Sequence, residues 1–455
     1  MQNKENPMCY EFKLGYARTN ISPEAPVPLS GYGTNATRIS ERIMDELYAS
    51  CLAMTDAEGN TALVFSLDLQ RPQEEVIAEI RCAVTEATGM AGEKIQVCST
   101  HTHSTPDLYA TYDPNVVAYR KLLQERCAEA AVLALADRAN ATFAIGSQDT
   151  QRLNFVKHYK QANGSFVGDN FGNAKASPIT DHVSQAYGKI HVIKVTREGR
   201  KDLIIGNFRS HPTMTGGGAK KEVSSDFVGP YRDSMERQKN CDFVFFQGAC
   251  GNINPKSRIA HENITRDYRV YGALLAEATI KILDNSMTPV EAGKLQCRQI
   301  NYAGKIDHSR DHQLAQAQEV TKYWRESGYD RAGTKALCDK YDFSSVFHAM
   351  AVCGKAELGE TENVELDVLT IGDAMAFVTA PGELWDSVSM VMEDRSPFPM
   401  SMTLGYANGD RKYFPHGVGY TYRSYESDYA RLAMGTSDEI IDLWVQTLKE
   451  FYKNS

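Results

Sequence analysis

The chain has 455 residues, of which 42% are hydrophobic and 24% are charged, and its formal net charge at pH 7 is −9. This composition is typical of a globular protein with a sizeable core. The acidic balance argues against broad binding of nucleic acid or of anionic lipid, since both need a basic face.

The compartment is indicated by the cysteines and by the N-terminus. None of the ten cysteines forms a C-x-x-C pair, and the first residues contain no apolar signal-like stretch. No apolar run reaches the roughly 18 residues that a membrane helix needs. We therefore expect a cytoplasmic protein with free thiols and a small-molecule partner, or a secreted one if a signal peptide has been removed. Nothing in the sequence indicates an oligomeric state.

Strands and helices alternate through the first half of the chain. Two apolar runs separated by Asp56-Ala57-Glu58-Gly59-Asn60 predict a hairpin, and Asp68 ends its second strand. Gly89 is expected to end one helix, and Asp113-Pro114 to begin the next. The predicted strands are 13–18, 49–55, 61–67, 141–145, 190–195 and 202–209, and the predicted helices are 74–88 and 115–138.

The second half continues the alternation. We expect Ser225-Asp226 and Ser437 to cap helices that run to residues 237 and 452. Further predicted helices are 265–283 and 313–326, the latter within a polar insertion, and the predicted strands are 241–247, 365–370, 374–379 and 402–406. The polar stretch 163–181 is either a mobile cover over a site or a surface excursion. Because the two element types interleave, the sequence predicts one large mixed α/β domain with central β-sheets flanked by helices.

His101 and His103 lie two residues apart at the end of an extended run, before Ser104-Thr105-Pro106. Residues i and i+2 of a strand point to the same face, so the two imidazoles are expected to converge. Neutral imidazole is a good zinc ligand. The alternative is a histidine pair that only satisfies nearby carbonyl groups.

His101, His211 and Glu383 each follow an apolar strand and lie beside glycine or proline. Ligands of α/β folds collect at such strand ends, and two imidazoles with one carboxylate suit a zinc site that keeps an open position. The helical H-E-x-x-H zinc motif is absent, so spacing alone does not group these residues. The glycine turn 248–255 is either a wall of this site or an ordinary strand-to-helix turn.

The order of the motifs resembles the catalytic domain of neutral/alkaline ceramidases over most of the chain. The matching segments are Gly15-Tyr16-Ala17-Arg18, Gly31-Tyr32, Thr100-His101-Thr102-His103-Ser104, Ser210-His211-Pro212-Thr213, Ser225-Asp226, Pro381-Gly382-Glu383, and Tyr413 through Tyr425-Glu426. The resemblance implies one zinc ion per chain, bound by His101, His211, Glu383 and Tyr413. It also implies a single catalytic domain over 1–455, without the C-terminal immunoglobulin-like domain of that family.

The activity implied by the resemblance is hydrolysis of an N-acyl amide. Zinc lowers the pKa of bound water from about 16 to about 7, which supplies hydroxide near neutral pH. His103 would face the substrate and, with Tyr425, donate hydrogen bonds to the developing oxyanion; alternatively, His103 protonates the leaving amine. Asp68 and Asp226 are candidates for carboxylates that orient the ligands, with a helix cap or turn role as the alternative.

Segments that face the substrate in that family differ here. Lys157 stands in the segment that corresponds to an arginine-bearing element, and Asn254 lies in the turn Gly251-Asn252-Ile253-Asn254-Pro255, where the family has G-D-x-S-P-N. We expect both side chains to contact the substrate, and the substrate to be smaller and more soluble than ceramide. Two alternatives stay open: an esterase or lactonase of the same fold acting on a carbohydrate-type or other small substrate, and a non-enzymatic metal- or ligand-binding protein.

Overall fold

The computed structural model describes residues 12–32, 37–170, 174–217 and 220–455. The strands are β1 (Lys13–Asn20), β2 (Arg42–Ile43), β3 (Tyr48–Thr55), β4 (Thr61–Leu67), β5 (Ile95–Ser99), β6 (Ala139–Asp149), β7 (Phe155–Val156), β8 (His158–Gln161), β9 (Phe166–Gly168), β10 (Ile179–His182), β11 (Lys189–Arg197), β12 (Leu203–Phe208), β13 (Glu222–Val223), β14 (Asp242–Gln247), β15 (Ile253–Asn254), β16 (Thr288–Val290), β17 (Leu295–Lys305), β18 (Thr361–Ile371), β19 (Met375–Thr379), β20 (Glu383–Leu384), β21 (Met400–Leu404) and β22 (Tyr413–Phe414). The helices are α1 (Glu74–Thr88), α2 (Pro114–Ala136), α3 (Val228–Lys239), α4 (Tyr268–Asn285), α5 (Leu314–Glu326), α6 (Arg331–Lys340), α7 (Val346–Ala356), α8 (Asp386–Arg395), α9 (Tyr425–Tyr429) and α10 (Thr436–Tyr452).

The larger sheet has the strand order β14-β12-β11-β6-β1-β3-β4-β5, and β16 pairs with β6. Most neighbours are antiparallel, but β4 and β5, and likewise β12 and β14, are parallel. Two helix pairs cover its outer face: α1 and α2 pack on β3, β4 and β5, and α3 and α4 pack on β12 and β14. Parallel pairs need helical crossovers, which is why helices lie over both ends of this sheet.

A second sheet, in the order β17-β18-β19-β21, packs on the inner face of the first. Leu14 and Met54 of the larger sheet share one buried cluster with Phe377 and Met402 of the smaller one. The far side of the smaller sheet is covered by α8 and α10, with Trp444 buried between them and the strands. The molecule is therefore one mixed α/β domain of four layers, helices–sheet–sheet–helices, as the alternation predicts.

The long elements lie where the sequence places them, but two predicted helix caps are wrong. The carboxylate of Asp226 accepts hydrogen bonds from Thr215 and from the Phe227 amide, and α3 begins one residue later, at Val228. The Ser437 hydroxyl donates to the Pro415 carbonyl at 2.8 Å from inside the first turn of α10. In both places a tertiary hydrogen bond takes the side chain that the cap prediction assigns to the helix.

The polar insertion is more helical than predicted, because α6 and α7 follow α5 and form a small core with it around Trp324. Strand β17 and helix α8 were also not predicted. Within 163–181, β9 and β10 pair with β8, and residues 171–173 of that stretch lie outside the described residues. No helix in the described part of the chain is both long and apolar enough to span a bilayer.

Candidate metal centre

The candidate site forms where the two sheets meet at the ends of their strands. The segment that follows β21 passes between β14 and β5: the Gly405 amide donates to the Gln247 carbonyl at 2.9 Å, and the Ser99 amide to the Tyr406 carbonyl at 3.2 Å. The carboxyl ends of β5 and β14 are thereby joined through the smaller sheet. Loops that leave these strands can contribute side chains to one centre.

His101 and His103 lie in the loop that follows β5, not on the strand as predicted, since β5 ends at Ser99. His101 has a left-handed backbone (φ 67°), which is uncommon for a residue other than glycine and is often found at functional sites. The His103 amide donates to the Pro212 carbonyl at 3.2 Å, and this bond holds the loop against the one that follows β12. The predicted convergence of the two rings is confirmed, but a loop produces it instead of strand alternation.

Three imidazoles converge through their Nε2 atoms. The Nε2 of His101 lies 3.1 Å from that of His211 and 3.2 Å from that of His103. Each Nδ1 faces a backbone carbonyl oxygen: Gln70 at 2.8 Å for His101, Gly31 at 3.0 Å for His103 and Cys250 at 3.0 Å for His211. Because a carbonyl only accepts, each Nδ1 must donate, and this fixes the tautomer that leaves the Nε2 lone pairs facing one another.

The protonation state follows from burial. Burial lowers the pKa of His103 to about 3, and it lowers the pKa of His101 and His211 well below the ordinary value. All three rings are therefore neutral near pH 7. A histidine pair that only satisfies carbonyl groups accounts for the Nδ1 atoms alone. It leaves the Nε2 lone pairs of His101 and His211 facing each other, and only that of His103 faces a donor, the Gln70 side chain.

Glu383 and Tyr413 are brought to the same point by the short parallel pairing of β20 with β22, in which Glu383 is the register partner of Tyr413. Glu383 Oε2 lies 3.7 Å from the Nε2 atoms of both His101 and His211. This oxygen is buried, and no residue that the structure describes makes a hydrogen bond to it. The Tyr413 hydroxyl lies within hydrogen-bonding reach of the same carboxylate, and burial raises the pKa of Glu383 to about 7.

These atoms fit a divalent cation such as zinc. Ligand bonds of about 2.0–2.1 Å around a tetrahedral ion place neighbouring ligand atoms about 3.3–3.5 Å apart, close to the separations seen here. Neutral imidazole and carboxylate are ordinary zinc ligands. His101, His103 and His211 form a cluster able to hold a metal ion without help from a fourth residue. Glu383 adds an oxygen atom that lacks a hydrogen-bond partner among the described residues.

Tyr425 lies beside this cluster, with its ring centroid 5.7 Å from that of Tyr413 and 5.5 Å from that of Tyr429. Lys157 is buried: its Nζ makes an ion pair with Glu426 at 2.8 Å and lies 5.6 Å from the centre of the Tyr413 ring. Tyr425 and His103 are both partly exposed, so solvent reaches both side chains.

The remaining predicted residues lie further out. Asp68 is buried and accepts from Arg232 at 2.7 Å and from the Tyr48 amide, so its carboxylate is engaged in a structural ion pair. Asp226 supports the loop that follows His211, through its bonds to Thr215. Asn254 donates to Asp169 and lines a separate cavity beside the centre.

Several residues of the centre were not predicted from the sequence. The ring of Tyr406 stacks on His101, with centroids 3.6 Å apart, and its hydroxyl contacts Cys250 Sγ at 3.2 Å. Gln70 contributes the carbonyl that orients His101, and its side-chain Nε2 lies 3.4 Å from His103 Nε2. Tyr406 lies two residues beyond β21, at the last position of the strand predicted over 402–406, and this place at a strand end is its only sequence signal. The backbone carbonyl of Gln70 leaves no sequence signal.

No protein-family model matches the chain, and its sequence has no match among curated proteins. Its structure is similar to that of neutral ceramidase from Pseudomonas aeruginosa, with a TM-score of 0.71 and 14% sequence identity, covering 98% of this chain and 75% of that one. It is equally similar to a ceramidase solved in complex with C2, at TM-score 0.71 and 15% identity, with 98% and 76% covered. The fold that the order of motifs implies is therefore confirmed: the chain has the fold of the neutral ceramidases.

Proposed function

We propose that the chain is a zinc-dependent hydrolase that cleaves an N-acyl amide bond with water. The observation that carries the proposal is the convergence of three neutral imidazole Nε2 atoms and the unsatisfied Glu383 Oε2 on one point. The fold shared with neutral ceramidase supports the amide bond as the target. We further propose that residues 1–455 act as one catalytic unit.

His101, His211, Glu383 and Tyr413 would hold the zinc ion. Bound there, zinc supplies an activated water near neutral pH and polarises the scissile carbonyl. His103 is partly exposed and its Nε2 lies 3.2 Å from that of His101, so it is suited to exchange a proton with water or with the leaving amine. We propose that the Tyr425 hydroxyl donates to the oxyanion, and the packing of its ring on Tyr413 supports this role.

We propose that Lys157 contacts the substrate and contributes a fixed positive charge at the centre. It is fully engaged with Glu426, whose other oxygen contacts His158 Nε2 at 2.6 Å, so the charge is held in place. We propose that the substrate is smaller and more water-soluble than ceramide. We also propose a cytoplasmic location, because all the cysteines that the structure describes carry free thiols.

The second candidate is an esterase or lactonase of the same fold, since activated water and an oxyanion donor serve either acyl bond. Product identification by mass spectrometry after incubation with N-acyl amines, esters and lactones separates the two. A protein that binds metal and turns over no member of such a panel would fit the third possibility, a non-enzymatic metal- or ligand-binding role.

The test of the proposal uses two variants with opposite expectations for metal. His211→Ala is expected to lose both zinc, measured by elemental analysis, and hydrolysis. Tyr425→Phe is expected to keep about one zinc per chain and to lose roughly 100-fold in kcat, the typical effect of removing one oxyanion donor. Full activity in His211→Ala would contradict the proposal, as would zinc-replete protein without any acyl hydrolase activity.

A further inference from the structure

A cavity of about 360 Å³ opens beside the metal centre. Its walls come from the loop that follows β12, the loop that follows β15, and the end of the β9 hairpin; the residues are Asp169, Thr213, Asn254, Pro255, Lys256, Ser257, Arg258 and Arg266. Three of them are cations and one is an acid. This balance is opposite to that of the whole chain, whose net charge is −9.

The one acid of the cavity is already paired. Asp169 Oδ1 lies 3.2 Å from Arg258 Nε, and the Asn254 amide donates to the same carboxylate. Within the described residues, neither Lys256 nor Arg266 makes an ion pair with an acidic side chain. Burial lowers the pKa of Lys256, and the nearby cations Arg266 and Lys220 lower it further, whereas the carboxylates of Asp226 and Asp169 act in the opposite direction. Two positive side chains therefore line the cavity without a direct ion-pair partner among the described residues, although these two carboxylates lie near enough to act on Lys256.

The cavity adjoins the site, because Thr213, one of its lining residues, lies two residues after His211. The Thr213 amide donates to the His211 carbonyl at 2.8 Å, and Tyr32, whose hydroxyl reaches the Thr213 carbonyl at 3.5 Å, packs its ring edge on His103 with centroids 5.4 Å apart. On the other side, Lys157 and Asp169 interact electrostatically. The cavity and the candidate metal centre are therefore neighbours, through Thr213 on one side and through Lys157 and Asp169 on the other.

We propose that this cavity binds an anionic group of the substrate, a carboxylate or a phosphate, through Lys256 and Arg266. The inference rests on the proposed function and deepens it: the substrate is an N-acyl compound that carries a negative charge. Asn254 and Ser257 add amide and hydroxyl groups to the same wall. Charged hydrogen bonds to a guanidinium and an ammonium are the usual way proteins hold such groups.

Binding is tested directly by titrating the metal-loaded protein with inorganic phosphate and with succinate by calorimetry. The Lys256→Gln/Arg266→Gln variant is expected to bind the preferred anion at least about tenfold more weakly than the parent chain. The matched control, Lys322→Gln/Arg325→Gln on α5, is expected to bind it like the parent. Anion binding that is the same in both double variants lies elsewhere, at the metal for example, and overturns the inference, as does an absence of binding in the parent chain.

Turnover gives the second arm. The substrates compared are N-acyl amines that carry a carboxylate, a phosphate or an isosteric neutral amide. The better anionic substrate is expected to exceed the neutral one about tenfold in kcat/KM. The Lys256→Gln/Arg266→Gln variant is expected to lose this preference. The carboxylate and phosphate members identify which anion is preferred. If the neutral and anionic substrates are turned over equally, the anion site is overturned while the proposed hydrolysis stands. If no acyl bond is cleaved, the proposed function fails, and the calorimetry still decides whether the cavity binds an anion.

Discussion

At the scale of single residues, the strand end that carries His211 is held by a network around the buried Arg209. Arg209, two residues before His211, is fully buried with its guanidinium carbon 4.4 Å from the centre of the Tyr187 ring, and it pairs with Glu393 on α8. The same carboxylate accepts from the Tyr187 hydroxyl at 2.6 Å and lies 3.1 Å from His191 Nε2. This network anchors the strand end that carries His211 to the helix layer of the smaller sheet.

Glu393→Gln is expected to lower the free energy of unfolding by about 3 kcal/mol near neutral pH, because Arg209 is left buried without a charge partner. Burial raises the pKa of Glu393, but Arg209, His191 and Tyr187 together outweigh it and bring the pKa from 4.5 to about 2. The stabilisation by the ionised carboxylate is therefore complete above pH 4.5 and is lost as the pH falls toward 2. Urea unfolding followed by tryptophan fluorescence, repeated over this pH range, measures both the loss of stability and its dependence on pH.

The matched control for this prediction is Glu277→Gln, which breaks an exposed pair with Lys281 on α4 and should change stability by less than about 0.5 kcal/mol. A difference between the parent chain and Glu393→Gln that stays constant from neutral pH down to about pH 2 would show that the charge of this carboxylate does not contribute.

At the scale of elements, the helical insertion between β17 and β18 supports the proposed oxyanion donor. The ring of Phe347 on α7 packs its edge on Tyr425 and Tyr429 of α9, at centroid distances of 5.7 Å and 6.2 Å. Lys355, also on α7, is joined to Asp307 at 2.8 Å and to the Ala430 carbonyl. Since α9 has only five residues, its conformation depends on these tertiary contacts more than on its own hydrogen bonds.

Phe347→Ala is expected to loosen α9 without affecting the metal ligands. Amide hydrogen exchange within Tyr425–Tyr429, measured by mass spectrometry, should become about tenfold faster or more, while the zinc content stays the same. Tyr329→Ala, which truncates a ring of the same insertion that packs on Trp324 instead, serves as the control. Unchanged exchange in Phe347→Ala would mean that the insertion does not support Tyr425.

Elements set by local sequence could be predicted, whereas elements that depend on distant partners could not. Helix α1 and the β3–β4 hairpin are local: apolar periodicity with Gly89 at the end, or alternation around a turn, is enough to place them. Strand β17 was missed because it is largely half-buried and carries polar residues on both faces, so its pairing with β18 depends on distant residues. The caps assigned to Asp226 and Ser437 failed for a similar reason, because tertiary partners outside each helix take their oxygen atoms.

At the scale of the whole molecule, the candidate ligands come from both sheets. His101 and His211 follow strands of the larger sheet, whereas Glu383 and Tyr413 lie in segments that follow strands of the smaller one. The resemblance to ceramidases could identify these residues from motif order, but their meeting point depends on the packing of two sheets and on Gly405 and Tyr406 between them. A metal ion at this point would tie the layers together.

Removal of the metal is therefore expected to destabilise the entire domain. A ligand that binds only the folded state at about 1,000 times its Kd contributes about 4 kcal/mol, so a chelator should lower the melting temperature by several degrees in calorimetry. The His211→Ala variant, which should lack the ion, is expected to melt at the same temperature with and without chelator. An equal response to chelator in both proteins would place the stabilising metal elsewhere.

The most direct test of the central claim is the position of a metal ion in crystals of the purified chain, located by anomalous scattering at the zinc edge. We predict one peak, about 2.0–2.2 Å from His101 Nε2, His211 Nε2, Glu383 Oε2 and the Tyr413 hydroxyl, with an open position toward His103 and Tyr425. A peak at another place in the molecule, or zinc-supplemented crystals without any peak between these residues, would contradict it.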